Sequence, residues 1–501
     1  MVRSRSRSPL WRTKSIEESV EETTEGEHQL RKSLGALDLV VFGVGVIVGT
    51  GIFVLTGVAA ATQAGPAIAV SFVVAAVACG LAALCYAEFA STVPVAGSAY
   101  TFSYASLGEL IAWIIGWDLV LELAIGAATV AKGWSGYLVE LLPFELPKSI
   151  AGEEATVNVP AVVIIALLAF VLIRGVKLSS RFNLVVTTIK LTVVLFFIVV
   201  GFFAIKSANL SPFIPPPGPA PAPANGGDPG TPLIQLLFGL EPAAYGVPGI
   251  FFGAAVVFFA FIGFDVVATT AEEARRPQRD MPIGILGSLV VCTILYVLVS
   301  LVMTGITDFR ELNVEAPMAK ALDDAGLAWA ANIVSFGAIC GITSVIMILL
   351  LGQSRILFAM SRDHLLPPAL AKVHPRFGTP ARITIITAAF SAVLAALVPI
   401  DQLAGLVNIG TLFAFVLVSL GVIVLRRTRP DLERAFRTPW VPVVPILAAL
   451  ACLFLMLNLT DHTWYRFLIW MVLGIVIYFT YGIRNSRIGR GESGGNLAAA
   501  D

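Results

Sequence analysis

From Leu34 to Ile483 the chain is a succession of apolar stretches about twenty residues long, separated by short polar connections. That length of apolar helix is what a bilayer core demands. Twelve stretches are read: roughly 35–62, 66–91, 108–131, 158–175, 181–205, 249–271, 283–307, 328–354, 381–399, 402–425, 441–459 and 463–483. The pattern predicts an all-α integral membrane protein with twelve transmembrane helices. The first 33 residues differ: Arg-Ser repeats lead into a Glu-rich stretch with no apolar segment. This is the composition of a partly disordered tail, not of a cleavable leader.

Composition agrees, with 57% hydrophobic residues, 13% charged residues and a mean hydropathy of +0.87. These values lie far from those of a soluble domain. Lysine and arginine set an orientation. With the N-terminus inside, 26 of the 33 fall in cytoplasmic segments and six outside; the remaining one is Lys190. The excess predicts both termini in the cytoplasm and a multi-pass protein of the cell membrane, a bacterial inner membrane by expectation. The zero net charge therefore conceals a polarity across the bilayer and carries no sign of a nucleic-acid partner. All five cysteines fall inside spans, and the four histidines are scattered singly. No metal site, disulfide framework or cofactor site is expected, and no Ser/His, paired-Asp or metal constellation of an enzyme appears.

Two spans are interrupted at corresponding places. In the first, Gly43-Val44-Gly45-Val46-Ile47-Val48-Gly49-Thr50-Gly51 sets four glycines among nine residues in mid-membrane. In the sixth, Ala260-Phe261-Ile262-Gly263-Phe264-Asp265 sets a glycine and a carboxylate there. Paired breaks of this kind point to a midplane binding site between inverted halves. An organisation follows: a cytoplasmic tail over 1–33, a first five-helix repeat over 34–205 and a Pro-rich extracellular loop over 206–248. A second, inverted five-helix repeat covers 249–425, a cytoplasmic loop and two last helices 426–483, and a tail 484–501. Two readings of the glycine run stay open and can coexist: close helix packing through Gly45-x-x-x-Gly49, and an unwound break. A break leaves amides near Thr50 and Gly51 at the start of a half-helix, which suit a carboxylate, and carbonyls at the opposing ends, which suit an ammonium. One site with both fits an amino acid zwitterion.

Lys190 is the only charged residue between Arg181 and Lys206. An unpaired cation at such depth costs roughly 2.5–3.5 kcal/mol on the lenient insertion scale. It is either a group that gains and loses a proton or a strut held by neighbouring carbonyls. Asp265, just past the second break, reads as a gate or helix-linking contact, or as a carboxylate bonded to local carbonyl and hydroxyl neighbours. Asp118 and Glu122 stand one turn apart on the third span, facing either a water-filled path or adjacent helices. Glu88 and Glu109, near cytoplasmic ends, read as structural.

Several stretches, in order, resemble the amino acid–polyamine–organocation (APC) superfamily, and within it the cationic amino acid transporter-like bacterial permeases. They are Gly49-Thr50-Gly51-Ile52-Phe53, Cys85-Tyr86-Ala87-Glu88-Phe89 with Pro94 and Gly97-Ser98-Ala99-Tyr100, and Phe258-Phe259-Ala260-Phe261-Ile262-Gly263-Phe264-Asp265. Glu272-Glu273-Ala274 runs into Pro277-Gln278-Arg279-Asp280, with Arg276 where the family has asparagine. Gly352-Gln353-Ser354-Arg355-Ile356, Met360-Ser361-Arg362-Asp363 and Phe436-Arg437-Thr438-Pro439 follow, and Leu10 to Ser15 match a tail motif of the closest branch.

The resemblance implies the leucine-transporter-like fold, a five-plus-five inverted repeat with two C-terminal helices. It implies a substrate carboxylate on the amides of Thr50, Gly51 and Ile52, and an α-ammonium on carbonyls of Ile47, Phe259 and Ile262 beside Ala260. Phe259 would cover the substrate. Lys190 would take the place of a sodium ion, against carbonyls of Gly45 and Val48 and hydroxyls of Thr343 and Ser344. The expected function is proton-coupled uptake of small or medium neutral amino acids by alternating access. Proton-independent exchange, cationic substrates and a nutrient-sensing receptor are the alternatives. The partners are the amino acid, a proton and the bilayer; the sequence specifies neither a small membrane subunit nor a homo-oligomer.

Overall fold

The computed structural model describes residue 12 and residues 34–490, apart from 93–97, 145, 148, 153–154, 176–179, 220–229, 241–242, 269, 271–273, 433 and 435. The tail motif other than Arg12, Pro94, Gly97, Glu272-Glu273, the middle of the Pro-rich loop and the last eleven residues lie outside the described residues. Among those described, regular structure is helical, and β pairing is confined to isolated bridges such as Gly218 with Ala244.

Each expected apolar stretch contains helix. The first is α1 (Ala36–Ile47), continued from Gly51 to Ala64 by turns of π and α type (Gly51–Leu55, Thr56–Ala59, Ala60–Ala64). There follow α2 (Ile68–Thr92), α3 (Glu109–Leu141), α4 (Val159–Ile173), α5 (Ser180–Phe202), α6 (Gly246–Val257) and α7 (Phe264–Ala268). The remaining helices are α8 (Pro277–Ile306), α9 (Ala328–Arg362), α10 (Ala381–Leu397), α11 (Ile400–Thr428), α12 (Val443–Leu457) and α13 (Asp461–Ile477). Among the described residues, eight helical segments are long and apolar enough to cross a membrane, counting Gly51–Thr92 and Gly246–Ala268 each as one, with four shorter apolar helices beside them. One boundary is corrected: α3 runs on to Leu141, so Lys132 is a buried residue of that helix and not part of an outside loop.

The packing explains which faces are wet by lipid. α3 lies along α9 and α11, α8 against α1 and α2, and α5 against α9. The Ala- and Gly-rich window of α3 is 83% buried, whereas the window of the last helix is only 28% buried. Exposed Val163, Leu167 and Phe170 on α4, and Leu468, Val472 and Val476 on α13, form apolar outer faces that need a hydrocarbon environment.

Tryptophans of α3 tie the last helix to the core instead of anchoring an interface. Trp113 Nε1 donates to the Gly474 carbonyl at 2.9 Å and Trp117 Nε1 to the Trp470 carbonyl at 3.0 Å, with the Trp117 and Trp470 rings stacked at 4.4 Å.

Glu88 and Glu109 are structural, as their positions suggested. Glu88 is 1% exposed and takes Arg426 as a fork, Nε to Oε1 at 2.9 Å and Nη2 to Oε2 at 2.7 Å. The Thr438 N–H adds a bond at 2.8 Å, and Arg434 Nε stands 3.5 Å away. Burial pushes the Arg434 guanidinium below its ordinary range, while neighbouring Glu88 opposes that shift. Glu109 accepts from the hydroxyls of Tyr104 (3.1 Å), Tyr478 (3.0 Å) and Ser486, and its own N–H donates to the Arg12 carbonyl at 2.8 Å.

Removing the carboxylate of Glu88 empties the fork of Arg426 where α2 meets α11. Glu88→Ala is expected to lower the thermal midpoint of the detergent-solubilised protein by an amount corresponding to about 2 kcal/mol, the scale of a lost charge-assisted bond. Arg434→Ala, which removes the 3.5 Å contact and bonds to the carbonyls of Leu425, Arg429 and Leu432 but strands no buried charge, is expected to cost less. A thermal melt of both variants checks the order.

Candidate binding site at the paired helix breaks

α1 stops at Ile47, where Val48 turns extended (φ −71°, ψ 101°), and winding resumes at Thr50. The sixth stretch stops being α-helical at Val257, tightens into a 3-10 turn over Phe258–Phe261, and opens at Ile262 (ψ 135°). Gly263 then takes φ +116°, a conformation that side chains resist, before α7 begins at Phe264. Both interruptions therefore fall where the glycine clusters predict them.

The two breaks touch. A Cβ on Gly51 would stand 2.3 Å from Ala260 Cα and 2.6 Å from its Cβ. Gly263 likewise leaves room for Val46, 2.8 Å from where its own Cβ would sit. The rest of the glycine run packs against other helices, Gly43 on Ser288, Gly45 on Thr187 and Gly49 on Val345. Close packing and unwinding thus coexist.

Four side chains attend to the freed backbone. Lys190, fully buried on α5, donates through Nζ to the Gly45 carbonyl, to the Val48 carbonyl at 3.1 Å and to Ser344 Oγ on α9 at 3.3 Å. An ammonium has three protons, and here each has an acceptor. Gly341 makes space for the stem, since a Cβ there would lie 3.0 Å from Lys190 Cβ. Tyr296 on α8 is set against both broken segments, its hydroxyl 3.0 Å from the Ile47 carbonyl and 2.8 Å from the Ala260 carbonyl. Asn408 on α11 donates to the carbonyls of Ala255 (2.8 Å) and Val256 (3.0 Å), at the end of α6. Asp265 accepts from the Gly263 N–H at 3.2 Å and so caps its own break.

Several expectations are modified. Thr343 is not a partner of Lys190: its hydroxyl donates to the Ile339 carbonyl at 2.7 Å and accepts from Trp134 Nε1 at 2.9 Å. One residue along a helix is a rotation of about 100°, which directs Thr343 to α3 and Ser344 to Lys190. The Ile52 N–H bonds back to the Gly49 carbonyl at 3.2 Å, leaving Thr50 and Gly51, in the first turn of the resumed helix, as the amides without an acceptor in their own segment. The Phe259 carbonyl accepts from the Ile262 N–H at 3.2 Å, and Phe259 itself is 7% exposed. Asp265 makes a local bond to the Gly263 N–H.

Asp118 and Glu122 are buried on α3, 0% and 2% exposed. Neither oxygen of Asp118 and not Oε2 of Glu122 has a hydrogen-bond partner among the described residues. Asp118 Oδ1 fills the space beside Gly410, 2.8 Å from where a Cβ would be.

Tyr296, Asn408 and Gly341 were not singled out by the sequence. Tyr296 and Asn408 are polar residues in apolar runs, the same signal that drew notice to Lys190, but an uncharged side chain in a span is a weaker one.

With this geometry in view, comparison with known proteins is informative. The sequence model of the amino acid permease family matches residues 34–478. The branched-chain amino acid permease BcaP of Bacillus subtilis (strain 168) is 47% identical over 490 residues, 96% of this chain and 99% of that one. The methylthioribose transporter of the same organism is 44% identical over 491 residues, 96% of this chain and 100% of that one. The vacuolar cationic amino acid transporter 4 of Arabidopsis thaliana is 39% identical over 415 residues, 81% of this chain and 65% of that one. These relatives are carriers and not enzymes.

Two variants test the touching breaks. Gly51→Ala is expected to reduce substrate binding at least tenfold, because its methyl group collides with Ala260 backbone before any ligand arrives. Tyr296→Phe, which keeps the ring but loses the bonds to Ile47 and Ala260, is expected to weaken binding while leaving the melting temperature within a few degrees. Equilibrium binding of labelled amino acid, read beside a thermal melt, checks both. The family match, the paired breaks and the apolar helices lead to one assignment: this chain is a multi-pass membrane protein of the amino acid permease family, within the APC superfamily.

Proposed function

We propose that the chain is a proton-coupled importer of neutral, branched aliphatic amino acids, working by alternating access across the cell membrane. In this reading it crosses the bilayer twelve times with both termini inside, its first ten spans form two inverted five-span halves, and the last two flank them. The observation that carries the proposal is the full set of acceptors around Lys190, two carbonyls of the first broken span and one hydroxyl of α9.

The mechanism follows from counting protons. As an ammonium, Lys190 satisfies three acceptors and joins α1 to α5 and α9. As an amine it keeps two N–H donors for the carbonyls and a lone pair that only accepts, so its bond to Ser344 Oγ must reverse direction and the charge that strengthened the others is gone. α1 is then free to move from α9. A proton taken up from outside closes the joint, and its release to the cytoplasm opens the inner side, so the gradient drives accumulation.

Substrate chemistry rests on the site's two ends and on kinship. Free amides at Thr50 and Gly51 suit the carboxylate, and the carbonyls of Ile47, Phe259 and Ile262 beside Ala260 suit the ammonium. The Ala- and Gly-rich face of α3, together with Ile346 and Met347, offers apolar surroundings. The 47% identical relative is named for branched-chain amino acids, which agrees with that lining. The relative named for methylthioribose requires that this compound be included in any substrate panel.

Purified protein in proteoliposomes is expected to exchange labelled leucine for leucine, isoleucine and valine in counterflow, and poorly for arginine, lysine or methylthioribose. Acidifying the outside should increase leucine accumulation. Lys190→Ala should abolish that increase while retaining leucine binding. Lys190→Arg, which cannot release its proton, should bind leucine without accumulating it. Uptake by Lys190→Ala that still rises with outside acidity would move the proton to Asp118, Glu122 or Asp265, and stimulation of the wild type by sodium would overturn the coupling.

A further inference from the structure

On the lipid-facing side of the bundle, α10, α11 and α13 part to leave a groove of about 420 Å³ whose floor is α3. That volume is within the ordinary range of small-molecule sites, roughly 300–1,000 Å³. Its walls are apolar: Ile125 from α3, Leu394 from α10, Leu403 and Leu406 from α11, and Trp470 and Leu473 from α13. Its polarity is uneven. Gln402 and Arg466 line it at the end where α10 passes into α11 and α12 into α13, and the residues deeper in the bilayer are hydrocarbon or aromatic.

Among the described residues no carboxylate pairs with Arg466, and Gln402 has no hydrogen-bonding partner. The geometry holds the mouth in place. Gly405 brings α11 onto Thr463 of α13, with a Cβ position only 2.9 Å from Thr463 Oγ1. Trp470 is fixed beneath by reciprocal bonds with Trp117, Nε1 to carbonyl at 3.0 and 3.2 Å. A fixed apolar channel with a cation at its membrane-surface end has the polarity of one phospholipid molecule.

We propose that this groove is a binding site for an anionic phospholipid, with one acyl chain along Leu394, Leu403 and Leu473 and the headgroup phosphate on Arg466. A guanidinium is suited to this because its planar fork gives two N–H bonds to a phosphate, and at the edge of the hydrocarbon such a charge-assisted bond is weakly screened. The bound chain presses on Trp470, and through the Trp117 stack it braces the last helix against α3.

Delipidated full-length protein in detergent, given phosphatidylglycerol or phosphatidylcholine of identical chains, provides the test by native mass spectrometry and thermal melts. Wild type is expected to bind phosphatidylglycerol about tenfold more tightly, the effect of one charge-assisted contact, and to melt several degrees higher with it. Arg466→Gln should abolish the preference between headgroups without loss of fold. Leu473→Trp, which fills the groove from its lipid side, should weaken both lipids. Equal binding of the two lipids by wild type, or a preference that survives in Arg466→Gln, overturns the proposal. So does a dimer that Leu473→Trp converts to monomer, since the groove would then be covered by a second copy of the chain.

Discussion

A helix interrupted inside a bilayer exposes amides and carbonyls where no water can satisfy them, and each must be given a partner by some other part of the protein. The arrangement here is a set of answers to that requirement. Lys190 serves the carbonyls of the first break, Asn408 those at the end of α6, Asp265 the amide of Gly263, and Tyr296 stands between both breaks. The helices that supply these side chains are thereby held in place around the breaks. An aromatic collar completes the second one: Phe261 packs on Tyr296 at 5.2 Å, and Phe258 and Phe264 on Phe415 at 5.7 and 5.0 Å.

The breaks were legible because glycine is conspicuous in a run of branched and aromatic residues, and because an extended apolar stretch announces a span whatever its neighbours. What the run of glycines could not disclose was its neighbours. Gly51 faces Ala260, over two hundred positions away, and Gly45 faces Thr187; neither pairing leaves any local trace. The same reason separates Thr343, which meets Trp134, from Ser344, which meets Lys190: the partners of adjacent hydroxyls depend on which helix each faces. Tyr296 and Asn408 escaped notice because a neutral polar side chain in a span is unremarkable until its partners are seen. Asp265 lies beside the break, and its bond is to the Gly263 amide two residues before it in its own chain.

A second organising feature lies toward the ends of the helices. Glu88 gathers Arg426, Arg434 and Thr438, and Glu109 gathers Tyr104, Tyr478 and Ser486. Both clusters bring C-terminal segments onto α2 and α3, and the Arg12 carbonyl joins the second by accepting from the Glu109 N–H.

Tyr296 carries one hydroxyl proton and stands within bonding distance of two carbonyls, on Ile47 and Ala260. At any instant the tyrosine proton serves one of those oxygens and leaves the other. The vacancy alternates between two pieces of chain that belong to different spans, so an arriving group with several N–H bonds completes both at once. Recognition of an ammonium at this place would be the filling of a deficit that the protein maintains in itself.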